Sequence, residues 1–185
     1  MKKILWLLPV VLVFGAQRAT AQPDRTQMRD QRIVYEVSGA VNDYVHFTIF
    51  DDLNAEVRDG DVRLTGKVTM PYKKAEIAKR VARIDGVKSV KNDVEVLPAS
   101  PNDDQLRMNI ARAIYGSSNF WNYAALRNPP IHIIVERGRV TLTGVVHSEV
   151  DRAMARALAS QFGAFSVTTQ LKTDREVQEE NGRAQ

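Results

Sequence analysis

One pattern is written twice in this chain, and a repeated pattern fixes the architecture before any residue has a role. "DVRLTGKVTMPYKKAEIAKRVARIDGVKSVKNDVEV" at 61–96 matches "RVTLTGVVHSEVDRAMARALASQFGAFSVTTQLKT" at 139–173. Val62, Leu64, Thr65, Gly66 and Val68 fall opposite Val140, Leu142, Thr143, Gly144 and Val146. Gly86, Val90 and Val94 fall opposite Gly163, Val167 and Leu171. Agreement at strand, glycine and helix-end positions together means two copies of one folding unit.

Each copy reads locally as α-β-β-α-β, an α+β module. Ahead of the match, Ile33, Val37, Ala40, Val41 and Tyr44 recur at helical spacing, as do Leu106, Ile110, Ala113 and Ile114. A hairpin follows: Asp59-Gly60 separates two alternating runs, and Arg137-Gly138 holds that place in the second copy. Pro71 starts a second helix in one copy and Ser148 caps it in the other, with Asp151 at the capping-box position. The expected stripes are Ile77, Ala78, Val81 and Ile84, then Val150, Ala153, Met154, Ala157 and Leu158. Gly86 and Gly163 are expected to end these helices. Closing strands run over 87–96 and 165–172.

Around the modules, residues 22–32 form an N-terminal segment, 33–97 the first domain, 98–102 a linker, 103–174 the second domain and 175–185 a polar tail, expected to fray. A module of about 65 residues buries only about 60% of its unfolded surface, so the two are expected to pack on each other. Residues 1–21 read as a Sec-type export signal: Lys2 and Lys3, an apolar run from Ile4 to Ala16, then Ala19-Thr20-Ala21. Arg18 keeps an uncleaved N-terminal anchor open as the alternative. Cleavage would place the protein in the periplasm. It would also remove Lys2, Lys3 and Arg18, taking 26 basic against 22 acidic residues to 23 against 22, a net charge of +1. The basic excess therefore gives no case for nucleic acid. Cysteine is absent, so the fold rests on its core without disulfides, a Cys-type zinc site or a lipid-modified cysteine.

Both copies resemble the BON (bacterial OsmY and nodulation) domain: V-x-L-T-G, a helix, then a G-V-x-x-V-x-N ending that "GVKSVKND" fits. "GAFSVTTQ" lacks the asparagine, with Thr169 in its place. The resemblance covers nearly all of the chain after the signal. It implies a non-enzymatic envelope protein that associates with phospholipid surfaces and supports envelope integrity under osmotic or other stress. In tandem members it also implies lipid contact on the first helix and adjoining loop of the second module.

The sequence offers no catalytic constellation. His46, His132 and His147 have no ligand spacing, and no cofactor, metal or small-molecule substrate is expected. His132 is out of phase with Ile131 and Ile133, which assigns it to the polar face of its strand. Asp59 and Asp61 are explained by the turn; two carboxylates fall short of a calcium site. Gly66 and Gly144, inside strands, suggest a bulge or close helix packing.

"SSNFWNYAALRNPPIHIIVERG" marks the difference between the copies. From Val41 to Val62 is 21 positions and from Ile114 to Val140 is 26, so the second module carries five extra residues before its hairpin. Two readings stand. Phe120, Trp121, Tyr123 and Leu126, flanked by Arg112 and Arg127, form a surface patch for an anionic phospholipid membrane, rings at the interface and guanidinium groups at phosphates. Otherwise the rings roof the second core or fill the space between modules. A third possibility of another class is a periplasmic chaperone-like or adaptor protein binding polypeptide, through the same patch or through an exposed sheet edge.

Overall fold

The first apolar stripe becomes helix α1 (Arg25–Asn42), which buries Ile33, Val37 and Val41. In the computed structural model the described residues are 25–183, and the expected export signal, 1–21, lies outside them. Strands β1 (Asp52–Arg58) and β2 (Asp61–Val68) form the hairpin, helix α2 (Pro71–Val81) follows, and β3 (Ser89–Asn92) with β4 (Glu95–Val96) closes the module. The second module repeats this: α3 (Pro101–Tyr115), β5 (Ile131–Glu136), β6 (Arg139–Val146), α5 (Glu149–Ala159), β7 (Ser166–Thr169) and β8 (Lys172–Thr173), with a short helix α4 (Trp121–Ala124) after α3. In each sheet the central strand pairs antiparallel with its hairpin partner and parallel with the closing strand.

Both turns adopt the conformation their residues favour. Asp59 and Gly60 have φ of 54° and 85°, and Arg137 and Gly138 have 52° and 73°, the double positive φ of a two-residue hairpin turn. A carboxylate from the first helix then clamps each turn. Asp30 accepts from the Asp59 and Gly60 amides at 2.6 and 3.0 Å, and Asp103 accepts from Arg137 and Gly138 at 2.8 Å each. Gly66 has φ of +120°, and a Cβ there would lie 2.3 Å from the Asp52 carbonyl oxygen, so the neighbouring strand requires this glycine rather than a helix.

Several expectations change. α1 covers Arg25–Asn42 and so extends ahead of Ile33, where the Asp30 clamp fixes polar turns that carry no apolar signal. α2 ends at Val81, and turns carry the chain to Gly86. On α5 the buried positions are Ala155 and Ala159, with Met154 and Leu158 half-buried, while Val150, Ala153 and Ala157 face solvent. The stripe read from sequence was rotated because alanine marks a helix face weakly. Each closing strand is split, at Asp93-Val94 and at Gln170-Leu171, so that Val94 and Leu171 reach the cores. The polar tail forms helix α6 (Asp174–Arg183): Glu176 accepts from the Thr173 amide at 2.7 Å and pairs with Arg152.

The modules meet through the α1–β1 connection. Ile49 and Phe50 of the first module pack against the core of the second, and Ile133 N–H donates to the Ile49 carbonyl at 2.7 Å. His132 Nδ1 lies 2.5 Å from the Asp51 carbonyl, its ring against Phe47. The polar face assigned to His132 is thus the inter-module face. Thr143 donates to Asp52 at 3.1 Å, and Lys67 bonds to Glu136, a contact that raises Lys67 and lowers Glu136 from their ordinary pKa values.

A buried ion pair holds this connection. Asp51 is completely buried and Lys73 is 4% exposed. The Asp51 carboxylate accepts from Lys73 Nζ at 2.6 Å and from the amides and hydroxyls of Thr48 and Thr69 at 2.7–2.9 Å. A buried charge needs this full complement of partners.

Candidate functional site

The longer connection of the second module folds as a 3-10 turn (Ser118–Phe120) running into α4, with turns continuing to Leu126. Helical spacing then divides the aromatic stretch between inside and outside. Phe120 is fully buried and Tyr123 is 3% exposed, both in the second core. Trp121 is 67% exposed and Leu126 53%.

Tyr123 anchors the insertion. Its hydroxyl donates to Asp151 Oδ2 at 2.8 Å and accepts from the His147 amide at 2.7 Å. Its ring stacks on His147 at 4.8 Å and meets Phe120 at 5.6 Å. Burial, supported by the Asp151 carboxylate, pushes the Tyr123 phenol up to about 12. Phe120 and Tyr123 are therefore corrected from surface contacts to framework, and Trp121 is the ring of the stretch that stays exposed. Their burial fixes the backbone from which Trp121 projects.

Of the flanking arginines, Arg127 is exposed and reaches Asp43 of the first module at 3.5 Å, while Asn128 donates to the Asn42 carbonyl at 2.9 Å. Arg112 is exposed on the last turn of α3. The surface group is accordingly Trp121, Leu126 and Arg127 on one connection, with Arg112 on the preceding helix.

Sequence reasoning missed exposed apolar residues at the corresponding end of both modules. Tyr72 is 53% exposed and Val150 68%, at matched positions in their helices. Val45 is 76% exposed on the α1–β1 connection.

The remaining polar residues have structural partners. Ser148 caps α5 by accepting from the Asp151 amide at 3.2 Å, and His147 Nδ1 lies 2.9 Å from Asp174. A cleft of about 700 Å³ between the sheets is lined by two ion pairs, Arg63 with Asp93 and Lys67 with Glu136, and by Arg137 and Arg139. Among the described residues no cluster of three or more His, Cys, Asp or Glu side chains could hold a metal ion, and no helix is long and apolar enough to cross a membrane.

Comparison with known proteins gives the family. The BON-domain family model matches residues 29–98 and 102–181. No curated protein matches the chain. Among solved structures nine chains match. One is CdsD, a structural protein of the type III secretion system of Chlamydia trachomatis, at 13% identity over 82% of this chain and 98% of that chain, with a TM-score of 0.30. Another is the C-terminal domain of CdsD, at 14% identity over 77% of this chain and 65% of that chain, with a TM-score of 0.32. BON domains are non-catalytic binding modules associated with phospholipid binding and with envelope or osmotic-stress proteins. Two family matches, on the two modules that the repeat defines, establish that the chain belongs to the BON-domain family as a tandem member.

Proposed function

We propose that this is a non-enzymatic periplasmic protein that docks reversibly on anionic phospholipid surfaces through Trp121, Leu126, Arg127 and Arg112 of its second module. The observation that carries the reading is the division of one short insertion: Phe120 and Tyr123 are buried while Trp121 and Leu126 are left in water. An exposed indole on a fixed backbone suits a bilayer interface, since the ring enters the acyl boundary while its N–H stays hydrated. Arg127 and Arg112 supply cations beside it, each worth roughly 1 kcal/mol near an anionic surface. Two apolar side chains and two cations give peripheral binding, comparable to a single lipid chain. The first module acts as scaffold, its Asp43 holding Arg127 at the edge of the patch.

Trp121 also reports on the proposal, because Trp6, the other tryptophan, falls within the expected signal. Protein lacking residues 1–21 is mixed with anionic or zwitterionic vesicles, and emission and co-sedimentation are followed. The expected result is a blue shift with anionic vesicles that salt reverses, and loss of sedimentation in Trp121→Ala without loss of fold. Equal sedimentation of Trp121→Ala and wild type would refute the site.

A further inference from the structure

The two modules differ in how they treat the outer edge of their hairpin. In a two-residue hairpin the pair flanking the turn exchanges both backbone bonds and pairs alternate from there. Leu53, Ala55 and Val57 of β1 therefore turn their N–H and C=O groups away from β2, as Ile131, Ile133 and Val135 of β5 turn theirs away from β6.

On β5 the chain fills most of these groups. Ile131 N–H donates to the Tyr115 hydroxyl at 3.0 Å, and that hydroxyl donates back to the Ile131 carbonyl at 2.5 Å. Ile133 N–H takes the Ile49 carbonyl, and Arg107 Nη2 donates to the Val135 carbonyl. On β1, among the described residues, none of the outward groups has a protein partner. The substitutions responsible are legible from the repeat: at the helix positions of Arg107 and Tyr115 the first module has Val34 and Asn42. Both line a groove of about 710 Å³ along β1, together with Ser38, Ala55, Val145 and Val177. Of its charged lining, Lys172 pairs with Glu180 at 2.6 Å, and the Asp52 carboxylate accepts from the Thr143 hydroxyl.

We propose that this edge is a docking site for an extended, uncharged polypeptide segment, which joins the first module's sheet as an added strand. A row of donors and acceptors at strand spacing matches a peptide backbone and leaves a lipid chain without partners. Leu53 to Val57 spans about 13 Å at ~3.3 Å per residue, room for about five residues. The groove is continuous with the inter-module contact, where Phe47 and Asn128 also line it. That contact already fills one such group: within the Thr48–Asp51 turn, the Ile49 carbonyl accepts from Ile133 N–H, the position equivalent to Ala55, and Ile49 and Phe50 sit on the core.

The test uses ¹⁵N-labelled protein and a capped peptide with the sequence His46–Phe50, titrated into the millimolar range. The expected result is amide shifts confined to β1 and the neighbouring face of α1, with roughly tenfold slower hydrogen exchange at Leu53, Ala55 and Val57, the scale of one added hydrogen bond. Val34→Arg, at a helix position 43% exposed, keeps the fold by circular dichroism. It restores the side chain that seals the edge in the second module, and abolishes the shifts. Absence of β1 shifts in wild type, or shifts unchanged by Val34→Arg, overturns the proposal. Protection that rises with protein concentration alone assigns the edge to a second copy, and protection by anionic vesicles assigns it to lipid; either result also overturns it.

Discussion

Lys73→Met would test how firmly one module depends on the other. The substitution keeps the length of an apolar stem and removes the ammonium that faces Asp51 at 2.6 Å. Asp51 is completely buried, so its carboxylate keeps the Thr48 and Thr69 donors but loses its neutralising charge. Breaking a buried pair in this way costs about 3–5 kcal/mol, a large part of the 5–15 kcal/mol by which proteins of this kind are stable. At about 2–4 °C per kcal/mol, the melting temperature falls by about 6–20 °C. The effect crosses the interface, because Asp51 holds the connection that carries Ile49 and Phe50 onto the second core. Hydrogen exchange should therefore show the Ile133 amide, bonded to the Ile49 carbonyl, losing protection in a variant altered only in the first module. Asp51→Asn/Lys73→Met should recover part of the loss, since an amide needs no counter-ion. A melting temperature within a degree or two of wild type, or an Ile133 amide as protected as before, would refute this reasoning.

Other expectations follow from the same contacts. Asp103→Ala orphans the Arg137 and Gly138 amides, and Asp30→Ala those of Asp59 and Gly60; each should cost about 1–3 kcal/mol in urea unfolding. Phe120→Ala should cost about 3–5 kcal/mol by removing a fully buried ring, whereas Trp121→Ala should stay within about 0.5 kcal/mol, as their opposite burial requires. Tyr123, raised by burial to about 12, contributes stability fully present below pH 10 and lost as pH rises through about 12. Tyr123→Phe should accordingly flatten the fall in stability measured across that interval.

The repeat made the fold legible, because turn glycines and apolar alternation are local signals. The α5 face was not, since Ala155 and Ala159 bury no more distinctive a surface than the exposed Ala153 and Ala157. Packing of the modules on each other was expected from their size, but the residues that make the contact were equally hidden. Ile49 and Phe50 lie outside the matched stretch, in a connection with no period to read. The aromatic insertion stood out as the difference between the copies, but the direction of each ring depends on a four-residue helix too short to show a periodicity of its own.

Comparing the modules position by position shows where function had room to diverge. The third residue of the second helix is Lys73 in one and Asp151 in the other, yet each ties its helix to the preceding connection, Lys73 through Asp51 and Asp151 through the Tyr123 hydroxyl. The lock is kept while its polarity reverses, so the constraint is on attachment rather than on charge. Beyond the residues that attach it, Phe120 and Tyr123 in the second module, the connection is free of its own module's core. In the second module that freedom exposes Trp121 and Leu126; in the first it sends Ile49 and Phe50 across to the neighbour. The helix facing the hairpin edge follows the same logic: Arg107 and Tyr115 seal β5, while Val34 and Asn42 leave β1 open. The exposed Trp121 connection and the open β1 edge therefore fall on different modules, and substitutions at Trp121 and at Val34 should separate the two proposed activities.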